Sequence, residues 1–267
     1  MQIITGKKNR PRRIVLYGPH GIGKSTWAAS APAPIFLSTE DGLDDIGVDR
    51  SPMITDLHAL HGHISWLITQ PHNYQSAVID TVDWLERLIW HDVARKADKS
   101  SIDEIPYYRG YNLAVQHWDF ILSSLENLRH ERNMAIVLLA HTKSMKIDPP
   151  DGESYTRYEP DLHKNAGPLL MEWADEVLFA GYKIDLITKG EGFDKRHVAI
   201  GGDRVVYTTE KPTHLAKRRI TMPDEIPLNW ASYAAQVKKA YANNNISGVV
   251  VDGSSKPSEK EEKNGKS

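Results

Sequence analysis

The stretch RRIVLYGPHGIGKSTWAAS, residues 12–30, constrains this chain more than any other. Gly18 to Ser25 reads G-P-H-G-I-G-K-S and satisfies G-x-x-x-x-G-K-[ST] at every position. Its flanks agree. Residues 14–17 form a short apolar, β-branched run, as a buried strand does, and residues 26–30 suit the start of a helix. Strand, loop and helix in that order are what phosphate binding needs. Gly18, Gly21 and Gly23 allow backbone with positive φ, so successive N–H groups can converge on phosphate oxygens. The new helix adds its positive end. Lys24 can reach the β and γ phosphates, and the Ser25 hydroxyl can ligate Mg²⁺. The expected phosphate-binding set is therefore Gly18, Pro19, His20, Gly21, Ile22, Gly23, Lys24, Ser25 and Thr26.

The rest of the chain alternates strands and helices. An apolar run at residues 35–38 reads as a second strand, with Glu40 and further acids just past its end. Residues 77–79 read as a third strand, closed by Asp80 and followed by a helix with Val82, Leu85, Leu88, Ile89 and Val93 on one face. An apolar strand ending in Asp is the Walker B pattern, whose carboxylate holds Mg²⁺. An Asp capping the next helix looks the same from sequence. A helix over residues 107–132 leads to a fourth strand at 134–140, ending in His141, Thr142 and Lys143. Ligands of open parallel sheets sit beyond the carboxyl ends of strands. The glycine-rich loop, Glu40, Asp80 and His141 all stand at such ends, and that convergence says more than any one motif.

Residues 143–164 mix charges, Pro, Gly and Tyr without periodicity and read as a long mobile loop. A strand follows in EWADEVLFAGYK, then two strands forming a hairpin around Gly201-Gly202-Asp203. Lys217, Arg218 and Arg219 make a basic cluster, which is a solvated face unless something else recruits it.

Composition excludes several classes. Net charge is −2, so no overall basic field marks a nucleic-acid binder, and any such contact has to be local. The absence of cysteine excludes disulfides, thiolate metal sites and cysteine nucleophiles, and agrees with a reducing cytoplasm. No stretch approaches the ~20 apolar residues of a membrane span, so no membrane partner is expected. The opening MQIITGKKNRPRR has basic residues but no apolar signal core.

The strings GPHGIGKST, LSTEDGLDD, AVIDTVDWL, LLAHTKSMK and LAKRR, in this order, resemble the RecA-like ATPases. Within them the resemblance is to phage-encoded ATP-binding proteins of the AAA family, some of which are single-strand annealing recombinases. It runs over residues 12–227. It implies an α/β, RecA-like P-loop fold, with a mostly parallel central sheet flanked by helices and a C-terminal β-hairpin extension. It also implies ATP and Mg²⁺ as cofactors. The expected organisation is an N-terminal arm at 1–11, a RecA-like ATPase domain at 12–229 and, read from the residues themselves, a C-terminal helix at 230–245 and a disordered tail at 246–267, which from Ser254 is poor in apolar residues and rich in Ser, Lys and Glu. Glu40 takes the place of the family's water-polarising Glu, and Asp80 that of the Mg²⁺-binding Asp. His141 stands where a polar residue, commonly Gln, senses the γ-phosphate. Lys217 and Arg219 match a basic motif that reaches the neighbouring subunit's ATP site.

The chemistry is coherent in its own terms. Phosphoryl transfer needs charge neutralisation and an aligned water. Lys24 and Mg²⁺ neutralise, Glu40 orients and deprotonates water, and Lys217 or Arg219 in trans adds a further cation. The leading expectation is a DNA-stimulated, cytoplasmic ATPase in phage recombination or single-strand annealing, within the host cell if phage-encoded. It would assemble as a homo-oligomeric ring or filament, with a single-stranded-DNA-binding protein as a further partner. Single-stranded DNA would meet residues 143–164 through Lys143, Lys146, Arg157, Lys164, Tyr155 and Tyr158. Asp148, Asp151, Glu153, Glu159 and Asp161 lie in the same segment and oppose that. The alternatives are a small-molecule (nucleotide) kinase and a non-catalytic ATP-binding switch.

Overall fold

The computed structural model describes residues 10–189 and 196–242. The apolar run before the glycine-rich loop becomes β1 (Arg13–Tyr17). It lies between β5 (Ala135–Ala140) and β8 (Glu176–Lys189), parallel to both. Alternate β1 residues enter two separate cores. Ile14 and Leu16 pack with α1 (Lys24–Ala29) and α6 (Trp230–Ala242) on one face. Val15 and Tyr17 pack on the other face, under α2 (Leu57–Thr69), α3 (Val82–Lys96), α4 (Arg109–Arg132) and α5 (Ala166–Trp173). A strand covered on both faces has no polar side, which is why its sequence is a continuous apolar run.

The remaining strands of this sheet are β2 (Pro34–Ser38), β3 (Asp49–Arg50), β4 (Ser76–Asp80), β9 (Arg196–Tyr207) and β10 (Glu225–Pro227). Their spatial order is β10-β9-β8-β1-β5-β4-β2-β3. From β8 to β3 neighbouring strands are parallel, and β9 runs antiparallel to both β8 and β10. The expected α/β architecture, a mostly parallel sheet flanked by helices, is therefore present. Parallel strands send all their carboxyl ends to one edge, so the residues that follow β1, β2, β4 and β5 are gathered there.

Three local expectations change. Residues 143–164 are not a structureless loop. β6 (Thr142–Ile147) and β7 (Tyr155–Pro160) pair as an antiparallel ribbon, from Thr142↔Pro160 to Ile147↔Tyr155, and α5 begins just beyond. The half-buried face of β7 carries Tyr155, Arg157 and Glu159, and β6 is at most half-buried, so the ribbon leaves no apolar alternation to read. The second change is at Gly201-Gly202-Asp203, which is not a hairpin turn. β9 runs straight through it, and the hairpin is β8 with β9, paired from Phe179↔Tyr207 to Lys189↔Arg196. The register shifts between Tyr182↔Arg204 and Ile184↔Gly201. This is a β-bulge, and Gly201 and Gly202, at φ 119° and 145°, supply the backbone that it needs. The third is the start of the strand expected from Glu172: Ala166–Trp173 is helical, and β8 begins at Glu176.

The α6 helix docks through buried Tyr233, whose hydroxyl donates to Glu176 Oε2 at 3.2 Å. Arg12 joins the same carboxylate and donates to the Tyr241 hydroxyl. Most of the expected arm at 1–11 and all of the expected tail at 246–267 lie outside the described residues. Among the described residues no helix is long and apolar enough to cross a membrane.

Candidate nucleotide-binding site

The loop after β1 is shaped by its glycines. A Cβ on Gly18 would lie 2.4 Å from the Ala180 carbonyl oxygen, so a side chain there would collide with β8 backbone. Gly23 caps α1 with φ at 107°, a left-handed conformation that favours glycine. Ile22 is buried beneath the loop and anchors it. Lys24 is buried too, and its ammonium donates to the Gly18 and Pro19 carbonyls at 3.0 and 3.1 Å. It therefore lies folded back over the loop, and the phosphates are the charge it would neutralise. Thr26 and His20 are exposed, and the His20 ring stacks on His141 at 3.7 Å between centroids.

The acids converge on this loop. Asp80 closes β4, and its Oδ2 accepts from the Ser25 hydroxyl at 2.7 Å. Its other oxygen, Oδ1, is buried with no hydrogen-bond partner among the described residues. An unpartnered buried carboxylate oxygen is costly, and a hard cation answers that cost with oxygen coordination. Ser25 and Asp80 thus fit a Mg²⁺ site, and the glycine loop with Lys24 fits a polyphosphate. Glu40 is held near them by backbone: Thr39 and Glu40 N–H groups both donate to the Asp80 carbonyl, at 2.9 and 3.3 Å. His141 follows β5, with Nε2 3.9 Å from Glu40 Oε1. So Lys24, Ser25, Glu40, Asp80 and His141, separated by more than a hundred residues in sequence, share one edge.

A family model described as an AAA domain matches residues 10–220, more than half of the chain. The chain belongs to that family. AAA-domain P-loop proteins generally bind ATP and Mg²⁺, in keeping with the donor set just described. Among solved structures, this AAA domain is similar to the crystal structure of the RadB recombinase. The identity is 13% and the TM-score 0.43, covering 84% of this chain and 90% of that one. A search of curated proteins gives no match.

Burial sets the charge balance of this AAA domain's site. It lowers the Lys24 ammonium below its usual range, against the attraction of Asp80, Glu40 and Asp83. It raises the Asp80 carboxyl, against the Ser25 hydrogen bond and Lys24. It likewise raises Glu40, against the pull of His141. A raised carboxylate is a better proton acceptor. For Asp83 burial also pushes upward, but hydrogen bonds from His141 outweigh it and hold the carboxyl low.

Asp83 was invisible as a functional residue in sequence. It sits in the first turn of α3, where an acid is ordinary. In the fold its two oxygens accept from the His141 backbone N–H at 2.9 Å and from Nδ1 at 2.8 Å. That fixes the His141 ring and leaves Nε2 turned to Glu40. Three residues on, Glu86 accepts the His163 N–H at 2.8 Å, just beyond the β6–β7 ribbon. One helix face therefore grips both strands of the ribbon at its base, where Thr142 pairs with Pro160.

Lys217 and Arg219 are not brought to the P-loop of their own chain. Arg219 Nε lies 3.6 Å from Asp175, which also binds Arg13. That places it at the amino ends of β1 and β8, the edge opposite the P-loop. The Lys217 ammonium donates to the Met171, Glu172 and Ala174 carbonyls, at 2.8, 3.1 and 2.8 Å, and so closes the end of α5.

Proposed function

We propose that this AAA-domain protein is a Mg²⁺-dependent ATPase, stimulated by single-stranded DNA and acting in phage recombination by strand annealing. The observation that carries the ATPase reading is the meeting of Lys24, Ser25, Asp80, Glu40 and His141 at one sheet edge. The recombination role rests on the sequence resemblance. Bound Mg²⁺ would supply charge neutralisation at the phosphates. Ser25 and Asp80 hold that ion. Lys24 leaves its loop carbonyls for the β and γ phosphates. Glu40 orients water and takes its proton. His141, steadied by Asp83, meets the γ-phosphate and transmits its presence to the ribbon that starts one residue later.

Single-stranded DNA is assigned to that ribbon and its surroundings. Its cations are largely paired within the protein: Lys146 with Asp148, and Arg157 with Glu159 and Glu210. Tyr158 and Met145 are exposed on it, and Lys164 lies 5.6 Å over the exposed Tyr108 ring. Stacking would outweigh phosphate contact in such a surface. The working form is a homo-oligomer in the cytoplasm, of the host if phage-encoded, alongside a single-stranded-DNA-binding protein.

The test is steady-state ATP hydrolysis by the full chain, with and without single-stranded DNA. Hydrolysis without a phosphate acceptor, raised by DNA, is the expected result. Phosphate transfer to an added nucleoside monophosphate without hydrolysis would support the kinase reading instead. ATP binding with no turnover, DNA present or absent, would leave a switch.

A further inference from the structure

A cation lies against the P-loop in the same chain, and no role above uses it. Arg204 sits on β9 at the last pairing before the bulge, opposite Tyr182. Bulges re-aim the side chains beside them. Its carbonyl accepts from the Leu228 N–H at 2.9 Å, which ties this point of β9 to the turn before α6. Gly23, the residue before Lys24, faces it. A Cβ on Gly23 would come within 3.4 Å of Arg204 Nη1 and 3.8 Å of Leu228 Cδ2. Arg204 is an exposed residue, with no ion pair or side-chain hydrogen bond among the described residues. An acid on the neighbouring strand, Glu225, is bound by Lys183 instead.

We propose that Arg204 is a nucleotide-binding residue, reaching the polyphosphate in cis at the end where the α and β phosphates rest. The inference builds on the reading of this loop as an ATP site. Lys24 serves the β and γ phosphates, and the loop backbone around Gly23 cradles the α and β phosphates. A guanidinium beside Gly23 faces the latter pair. Its planar fork of donors matches phosphate oxygens in a way an ammonium does not. The site then has two cations from one subunit, Lys24 and Arg204, at different ends of the phosphate chain. Leu228, the other neighbour of that position, gives an apolar wall beside it.

The test is equilibrium displacement of a fluorescent ATP analogue by ATP and by ADP, with Mg²⁺, on four full-length proteins: the parent, Arg204→Ala, Arg204→Lys and Lys24→Ala. Arg204→Ala should lose about tenfold or more in affinity for ATP and for ADP alike, as loss of a charged hydrogen bond does. Arg204→Lys should fall between it and the parent. Melting without nucleotide should not change, because the guanidinium holds nothing in the fold. Parent-like affinity of Arg204→Ala, in a parent that binds and with Lys24→Ala impaired, would overturn this inference alone. So would a loss confined to ATP, which would place the guanidinium at the γ end. A parent protein that binds neither nucleotide would overturn the ATP-site reading and this one with it.

Discussion

Asp80 and Glu40 stand side by side but carry different chemistry. Asp80 binds the Ser25 hydroxyl with one oxygen and has a buried, unpartnered second oxygen. Glu40 has backbone support and a raised carboxyl near His141. The two should therefore separate on mutation. Asp80→Asn should weaken Mg²⁺-dependent ATP binding, since an amide is a poor ligand for a hard cation. Glu40→Gln should keep ATP affinity within about twofold but cut turnover by ~100-fold or more, because an amide holds a water without taking its proton. Binding titrations and single-turnover hydrolysis check both. Equal loss of affinity in the two variants would contradict the division. The raised Glu40 also predicts a pH limb in turnover: activity should fall as pH drops through a pKa above the ordinary carboxylate value.

At the scale of elements, α3 joins the site to the ribbon. Its Asp83 holds His141 and its Glu86 holds His163. Burial raises the Glu86 carboxyl from 4.5 to about 7, with the His163 N–H opposing. Between those two values the folded chain keeps a proton that the unfolded chain has lost. This group's contribution to stability is therefore full below 4.5 and lost as pH rises through about 7. Glu86→Gln can still accept the His163 N–H and has no charge to bury. It should flatten the fall in melting temperature between pH 5 and pH 8 and raise the pH 8 value by about 2–4 °C per kcal/mol recovered. Thermal melts at the two pH values, on parent and variant, decide it. A parent whose melting temperature does not fall over this range would sink the account of Glu86.

For the whole molecule the question is assembly. Arg219 stands at the sheet edge opposite its own P-loop, half exposed and loosely tied to Asp175. It can serve an ATP site only in another subunit. A head-to-tail contact of that kind generates a ring or filament. The trans cation would be worth on the order of 10³-fold in rate. Lys217, matched to the same motif, also closes α5, so replacing it perturbs the fold as well. Arg219→Ala is the cleaner probe. Specific activity should rise with protein concentration. Mixing inactive Glu40→Gln with inactive Arg219→Ala should restore part of the rate, because some interfaces pair an intact site with an intact finger. Co-assembly without any regained hydrolysis would return Arg219 to a solvated face.

The sequence by itself determined whatever is local and repetitive. Residues 14–17 and 135–140 are apolar because both faces of those strands are covered, and that covering follows from a parallel sheet. Gly18 and Gly23 are legible because only a tight backbone needs them there. Asp80, Glu40 and His141 are legible as strand-end residues, and a parallel sheet already implies that such ends share one edge. The tertiary structure decided what depends on partners far along the chain. The β6–β7 ribbon carries no apolar period, since its half-buried positions hold residues such as Arg157 and Glu159. Gly201-Gly202 supports a bulge as readily as a turn, and only the pairing of β8 with β9 chooses between them. Asp83 reads as a helix-start acid until β5 brings His141 to it, 58 residues away. Arg204 reads as one more surface cation until β9, bulged and placed beside β8, carries it to Gly23.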